Sequence, residues 1–74
     1  LMTHTPNSKD ACIILGVDPG TRISGYGVIC IENQDYTTLD YGCIRPPVGL
    51  KLSERYLVIF DSIEELIEKY RPHV

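Results

Sequence analysis

The stretch IILGVDPGTRISGYG, residues 13–27, decides how this 74-residue chain is read. An apolar run ends in a single carboxylate, Asp18; Pro19 and Gly20 follow at once, then a polar turn, then a second apolar run. A continuous apolar run of this length suits a central strand covered on both faces. A buried helix segment is the rival, and Gly16 and the Pro19-Gly20 pair oppose it. A residue before proline is biased toward extended geometry, so residues 11–18 are predicted to form a strand that ends at Asp18. Pro19, Gly20 and Gly25 are the turn formers: proline suits the second position of a reverse turn, and Gly20 permits positive φ.

Outward from this stretch, residues 25–32 (GYGVICIE) are predicted as a second strand, Asn33, Gln34 and Asp35 as a turn, and residues 36–45 as a third strand. In the third strand Thr37, Leu39, Tyr41 and Cys43 alternate with Thr38, Asp40 and Gly42, the pattern of a half-exposed edge strand. Pro46-Pro47 ends it. The period then changes: Leu52, Tyr56, Ile59, Phe60, Ile63, Leu66, Ile67 and Tyr70 recur at spacings of three and four, the core stripe of an amphipathic helix. Ser53 can cap it, or it starts near Leu50; Glu65 and Lys69 form an i,i+4 pair, and Pro72 stops it. Three meander strands followed by a long helix open an α/β domain, and the crossover through the helix should set a fourth strand parallel to the first.

Residues 1–10 lack any period and are expected to be a loose N-terminal tail in which His4 is exposed. Residues 11–74 are expected to be the N-terminal part of a domain truncated before its fourth strand, because Leu1 precedes Met2 and the chain stops just past the helix stop signal. A first strand with an open edge invites aggregation, so the isolated chain is expected to fold poorly or self-associate.

An apolar share of 43% argues against disorder, and the length allows one domain at most. Three cysteines, Cys12, Cys30 and Cys43, are an odd set without a CxxC pair, read as buried free thiols in a reducing cytosol. No apolar run approaches the roughly 20 residues of a membrane helix, and no basic segment leads into an apolar core at the N-terminus. A cytoplasmic protein with no membrane partner is expected.

The net charge of −3 argues mildly against nucleic acid as a partner, but its distribution matters. In a meander the first and third strands point the same way, so Asp18, Arg45 and the start of the helix share one end of the sheet. That end carries Arg22, Arg45, Lys51 and Arg55 against Asp18 and Glu54. The opposite end carries Asp10, Glu32, Asp35, Glu64, Glu65 and Glu68 against Lys9, Lys69 and Arg71. A basic rim around one strand-tip carboxylate suits a phosphodiester and a divalent cation, and Arg22, Arg45, Lys51 and Arg55 are candidates for phosphate contact. Ordinary solvated charge is the competing reading.

Two chemistries use such an aspartate beside a glycine turn. In two-metal phosphodiester hydrolysis, Mg²⁺ ions about 4 Å apart stabilise the attacking and leaving oxygens, and one aspartate bridges both. Asp18 cannot act alone there, and no other acidic residue is placed as its partner. In nucleotide binding of the actin and sugar-kinase type, a D-x-G-T turn wraps phosphates with backbone N–H groups; Asp18 to Thr21 fits loosely, although Pro19 removes one donor.

The segment Ile14-Leu15-Gly16-Val17-Asp18-Pro19-Gly20, with Gly25-Tyr26-Gly27-Val28-Ile29, resembles the opening of the RuvC family, the bacterial Holliday (crossover) junction endodeoxyribonucleases. Gly42-Cys43-Ile44-Arg45 resembles that family's third strand, and the helix from Leu52, ending in a proline near Tyr70, follows at the family's spacing. The resemblance runs from about Ile13 to the end of the chain. It implies an RNase H-like fold, a homodimer, and magnesium-dependent paired nicks in the symmetric strands of a four-way DNA junction during recombination and repair. It further implies branch-migration helicase machinery as a partner, Asp18 as the first catalytic metal ligand for two Mg²⁺ ions, and the remaining catalytic carboxylates beyond Val74. The 74-residue chain alone would then lack activity. The related YqgF-type nucleases share the fold but usually carry a residue other than proline in D-x-G.

Overall fold

The computed structural model describes residues 11–74, so the expected tail and His4 lie outside the described residues. Strands β1 (Cys12–Asp18), β2 (Ser24–Glu32) and β3 (Asp35–Ile44) form one antiparallel sheet in the order β1-β2-β3, and helix α1 (Leu52–Tyr70) follows. The meander and the helix are those read from the sequence. The hairpin between β2 and β3 needs only two loop residues: Asn33 and Gln34 both take positive φ, 52° and 70°. Such a turn matches the right-handed strand twist, and asparagine tolerates the left-handed region well.

β2, not β1, is the central strand of the described sheet. Its Val28 (0% exposed) and Cys30 (1%) meet Ile13 (9%) in the core, and Ala11, Leu15, Tyr26, Leu39 and Tyr70 pack against them. Burial pushes the Cys30 thiol above its ordinary pKa. Cys12 is half-buried and Cys43 exposed, so only Cys30 fits the expectation of buried thiols; all three are free. α1 covers the face that carries Ile13, Val28 and Cys30. Ile14, Ile29 and Ile31 lie on the opposite face beside exposed Gly16 and Tyr41, and no described element packs there. Among the described residues α1 covers one face of β1, and the coverage expected on its other face has no counterpart there.

β3 departs from simple alternation. Val28 pairs with Asp40 but Ile29 pairs with Thr38, which leaves Leu39 as an extra residue in a β-bulge. The bulge sends Leu39 into the core and breaks the expected alternation, so that Thr37 and Tyr41 lie on opposite faces. It also leaves Asp40 facing α1. There Asp40 Oδ2 accepts hydrogen bonds from the Tyr70 hydroxyl at 2.9 Å and the Tyr26 hydroxyl at 3.3 Å. Gly42 makes room for this pair, since a Cβ there would lie 3.1–3.3 Å from the Tyr26 ring.

α1 starts at Leu52, near Leu50 as read from the sequence, and its N-cap is Lys51 rather than Ser53. Glu54 Oε1 accepts from the Lys51 N–H at 2.9 Å, satisfying a donor at the helix start. The predicted core stripe splits in two. Ile59 is buried, and Ile63, Leu66 and Tyr70 are half-buried against the sheet. Leu52, Tyr56, Phe60 and Ile67 are 46–62% exposed, which corrects their assignment to the core. A three-stranded sheet covers less of the helix circumference than the apolar residues occupy. Lys69 places its ammonium over the Tyr70 ring, 5.2 Å from the centroid, rather than against Glu65.

Arg71 ends the helix in the left-handed conformation (φ 50°, ψ 55°), its N–H donating to Ile67 C=O at 2.8 Å. Pro72 blocks continuation, and the chain turns back along β1. Val74 N–H donates to Ile13 C=O at 3.4 Å while Leu15 N–H donates to Val74 C=O at 2.9 Å. Val74 thus straddles Ile14 in the pattern of a parallel pair. His73 N–H also donates to Ile13 C=O (2.8 Å), and His73 Nδ1 accepts from Ile13 N–H (3.1 Å). The outer edge of β1 is therefore engaged at Ile13 and Leu15, contrary to the expectation that it stands open, and the neighbour is parallel as expected.

Two outcomes follow from the Asp40 pair. Asp40→Ala leaves two phenols without their acceptor and should lower the unfolding free energy by about 1–3 kcal/mol in urea titrations. Burial first, then the nearby Asp40 carboxylate, hold the Tyr26 phenol above its ordinary pKa. A raised pKa means the folded state binds this proton more tightly, so its contribution is complete below the unfolded tyrosine pKa and is lost as pH rises through the folded one. Ultraviolet difference titration of the parent against Tyr26→Phe should show this phenol ionising at a higher pH than a free tyrosine.

Candidate functional site

The candidate site lies where β1 ends. Asp18 pairs with Gly25 across the sheet, and Gly25 pairs with Cys43, so one row at this end reads Asp18, Gly25, Cys43. Side chains in one row share a face; a Cβ on Gly25 would sit 4.0 Å from the Cβ of Asp18. This is the face opposite α1. Asp18 is exposed, and among the described residues its carboxylate accepts no hydrogen bond and joins no ion pair. Its position is set by backbone alone: the strand on one side, the turn on the other, and a bare glycine across the ladder.

The turn itself is held in a way the sequence reading missed. Gly20 does not use the positive φ it permits; among the described residues Gly49 is the glycine that does, at 93°. Gly20 is needed for close approach instead, since a Cβ there would lie 2.3 Å from the carbonyl oxygen of Ile23. Ser24, one residue before the second strand read from the sequence, is the first residue of β2 and 0% exposed. Its Oγ accepts from Gly20 N–H at 3.1 Å and donates to Gly20 C=O at 2.8 Å. The available signal was a hydroxyl residue standing between apolar Ile23 and the strand, four residues after a glycine.

The four basic candidates divide. Arg22 and Arg55 line one cleft of about 260 Å³, walled by the loop from Pro46 to Leu50. The Arg55 Nε is enclosed there without a hydrogen-bond partner. Arg45 lines a different groove, of about 450 Å³ between β3 and α1, together with Tyr26, Asp40, Glu65 and Lys69. Lys51 is exposed at the helix start and borders neither. The charge separation expected from topology is thus only partial: Glu32 and Asp35 do sit at the far hairpin, but Glu65 shares a groove with Arg45. Pro19, Gly20, Thr21 and Ser24 border a third, smaller cleft of about 220 Å³ against Tyr56 and Ile59.

Asp18 suits a hard cation chemically, as an exposed carboxylate with unfilled space beside it. It is one ligand, however. Among the described residues no group of three or more His, Cys, Asp or Glu side chains could hold a metal ion, and no helix is long and apolar enough to cross a membrane.

Comparison with known proteins gives these features a family. The model described as Crossover junction endodeoxyribonuclease RuvC matches residues 14–74. The protein of that name from Protochlamydia amoebophila (strain UWE25) is 62% identical over 61 residues, covering 82% of this chain and 36% of the relative. Its namesake from Ruminiclostridium cellulolyticum is 45% identical over 60 residues, 81% of this chain and 36% of the relative. That from Treponema denticola is 46% identical over 59 residues, 80% and 33% respectively. The chain spans about a third of the length of these curated relatives. No solved structure matches. The matched residues take in the strand ending at Asp18, the Asp-Pro-Gly turn, the hairpin and the helix, and the chain belongs to the RuvC family of crossover junction endodeoxyribonucleases.

Proposed function

We propose that these residues form the N-terminal part of an RNase H-like nuclease that resolves four-way (Holliday) DNA junctions by paired, magnesium-dependent nicks. The observation that carries this reading is the family match over residues 14–74, whose first strand ends in the exposed carboxylate Asp18. Asp18 is the catalytic metal ligand this segment contributes. Bound magnesium supplies charge stabilisation to the attacking and leaving oxygens of an in-line phosphodiester displacement. The chain's own part is to present an oxygen donor at a fixed point and to leave room for hydration, which bare Gly25 opposite Asp18 favours.

The partner carboxylates come from beyond Val74. The parallel pairing of Val74 with β1 supports this, because a strand continuing in that direction runs toward Asp18. The described residues lack those groups, and the 74-residue chain alone does not cut DNA. Arg22 and Arg55, on one cleft at the Asp18 end, are the strongest phosphate contacts; Arg45 and Lys51 extend the basic surface. Nicking two symmetric strands calls for two sites, hence a homodimer in the complete protein. A cytoplasmic location and branch-migration helicase machinery as a partner belong to the same reading.

An actin-like or sugar-kinase-like ATP module is less well supported. Pro19 has no N–H, and the Gly20 N–H is already donated to Ser24 Oγ, so two donors of a phosphate cradle are missing. The family membership also favours RuvC over the YqgF-type nucleases.

In a chain of full family length, Asp18→Asn should reduce junction cleavage by at least about 10²–10³-fold, the scale of losing one charge-stabilising group, while gel-shift binding persists. Cleavage at the parent rate would remove Asp18 from the site. Arg22→Ala with Arg55→Ala should weaken junction binding and flatten the dependence of log K on log salt by about 0.9 per lost phosphate contact. An unchanged slope would mean these arginines do not touch the backbone.

A further inference from the structure

We propose that Ser24 is a positioning residue for the site: its hydroxyl ties the base of the 18–24 loop to Gly20 and thereby holds Asp18 in place. The proposal rests on the reading of Asp18 as the metal-binding carboxylate. Three observations carry it. Asp18 has no side-chain partner among the described residues, so only the backbone can fix its position. Ser24 is fully buried, and its one hydroxyl serves both polar groups of Gly20, accepting from the N–H at 3.1 Å and donating to the C=O at 2.8 Å. Gly20 in turn approaches the Ile23 carbonyl so closely that any side chain would collide with it.

These contacts form a clasp. Gly20 lies two residues past Asp18, while Ser24 is the neighbour of Gly25, which pairs with Asp18 across the ladder. Joining Gly20 to Ser24 therefore links the two arms of the loop just beyond the carboxylate. A catalytic group is productive only when held within a fraction of an ångström by its supporting shell. Loss of the clasp frees the loop to move Asp18 and the adjoining Arg22 without unpairing β1 from β2. The requirement is for a hydroxyl, not for serine alone, since threonine carries an Oγ at the same position.

The test uses a chain of full family length with Ser24→Ala, Ser24→Thr and Ser24→Val, and Asp18→Asn alongside. In metal-free buffer, hydrogen exchange at the Gly20 amide should be slow in the parent and in Ser24→Thr, and at least about 10-fold faster in Ser24→Ala and Ser24→Val. Single-turnover junction cleavage should fall by about 10–100-fold in the alanine and valine variants, with a higher magnesium concentration for half-maximal rate and junction binding unchanged. Threonine should restore both readouts, which separates a hydroxyl-specific role from loss of packing. Slow Gly20 exchange in Ser24→Ala, or parental cleavage and magnesium dependence in that variant while Asp18→Asn is inactive, would overturn the proposal alone. Cleavage by Asp18→Asn would instead overturn the reading of Asp18. Equal loss in the threonine and alanine variants would reduce Ser24 to a packing residue.

Discussion

The end of β1 that carries Asp18 depends on one hydroxyl that takes the place of a secondary-structure bond. Between β1 and β2 the chain must reverse within a few residues, one of them a proline with no donor to give. Gly20 would otherwise leave its N–H and C=O away from the strand ladder, with only solvent to meet them. Ser24 Oγ satisfies both groups at once, and because it is buried it does so without competition from solvent. The turn can then be short, which lets Asp18 stand directly beside Gly25. The register of β1 on β2 in turn brings Ile13 and Cys30 together in the core.

The core that this register assembles is small. Ile13, Val28, Cys30, Ile44 and Ile59 are its buried apolar members. Each large side chain contributes roughly 1.5–3 kcal/mol when fully buried, and ordering each residue costs a comparable amount. Polar ties therefore matter more than in a larger domain. The Asp40 carboxylate draws the last turn of α1 onto β2, and the left-handed Arg71 with Pro72 then directs the chain back to β1. The second apolar stripe of α1, from Leu52 to Ile67, and the uncovered face with Ile14, Ile29 and Ile31 show how much apolar surface one helix and three strands cannot cover among themselves.

Much of this was legible in the residues because it follows from period and punctuation. Apolar runs bounded by Pro19-Gly20, by Asn33-Gln34 and by Pro46-Pro47 mark three strands, and the change to a three-and-four spacing marks the helix. The parallel return of the chain along β1 followed from the handedness and length of crossovers. What was not legible depends on contacts distant in sequence or on how a local rule is used. The bulge at Leu39 is set by pairing with Val28 and Ile29, which no window around Leu39 contains. The N-cap went to Lys51 because the Glu54 side chain can satisfy its N–H, a bond requiring no hydroxyl at the cap itself. Gly20 was recognised as a turn glycine for the wrong reason: its missing Cβ clears a carbonyl, while its φ is unexceptional. The candidate site was legible as Asp18 and a set of arginines, but not as a carboxylate facing away from the helix with Arg22 and Arg55 sharing a cleft.

The bonds between Ile13 and the His73-Val74 pair join residues 60 positions apart in the chain. During synthesis the three strands are complete once Ile44 has left the ribosome, and the neighbour of β1 arrives only with Val74. At about 5–20 residues per second that leaves β1 with a bare outer edge for roughly 1.5–6 s in every nascent chain. An unpaired strand edge invites pairing with another chain on the same messenger, so the length of α1 also sets a window for mispairing between neighbouring ribosomes.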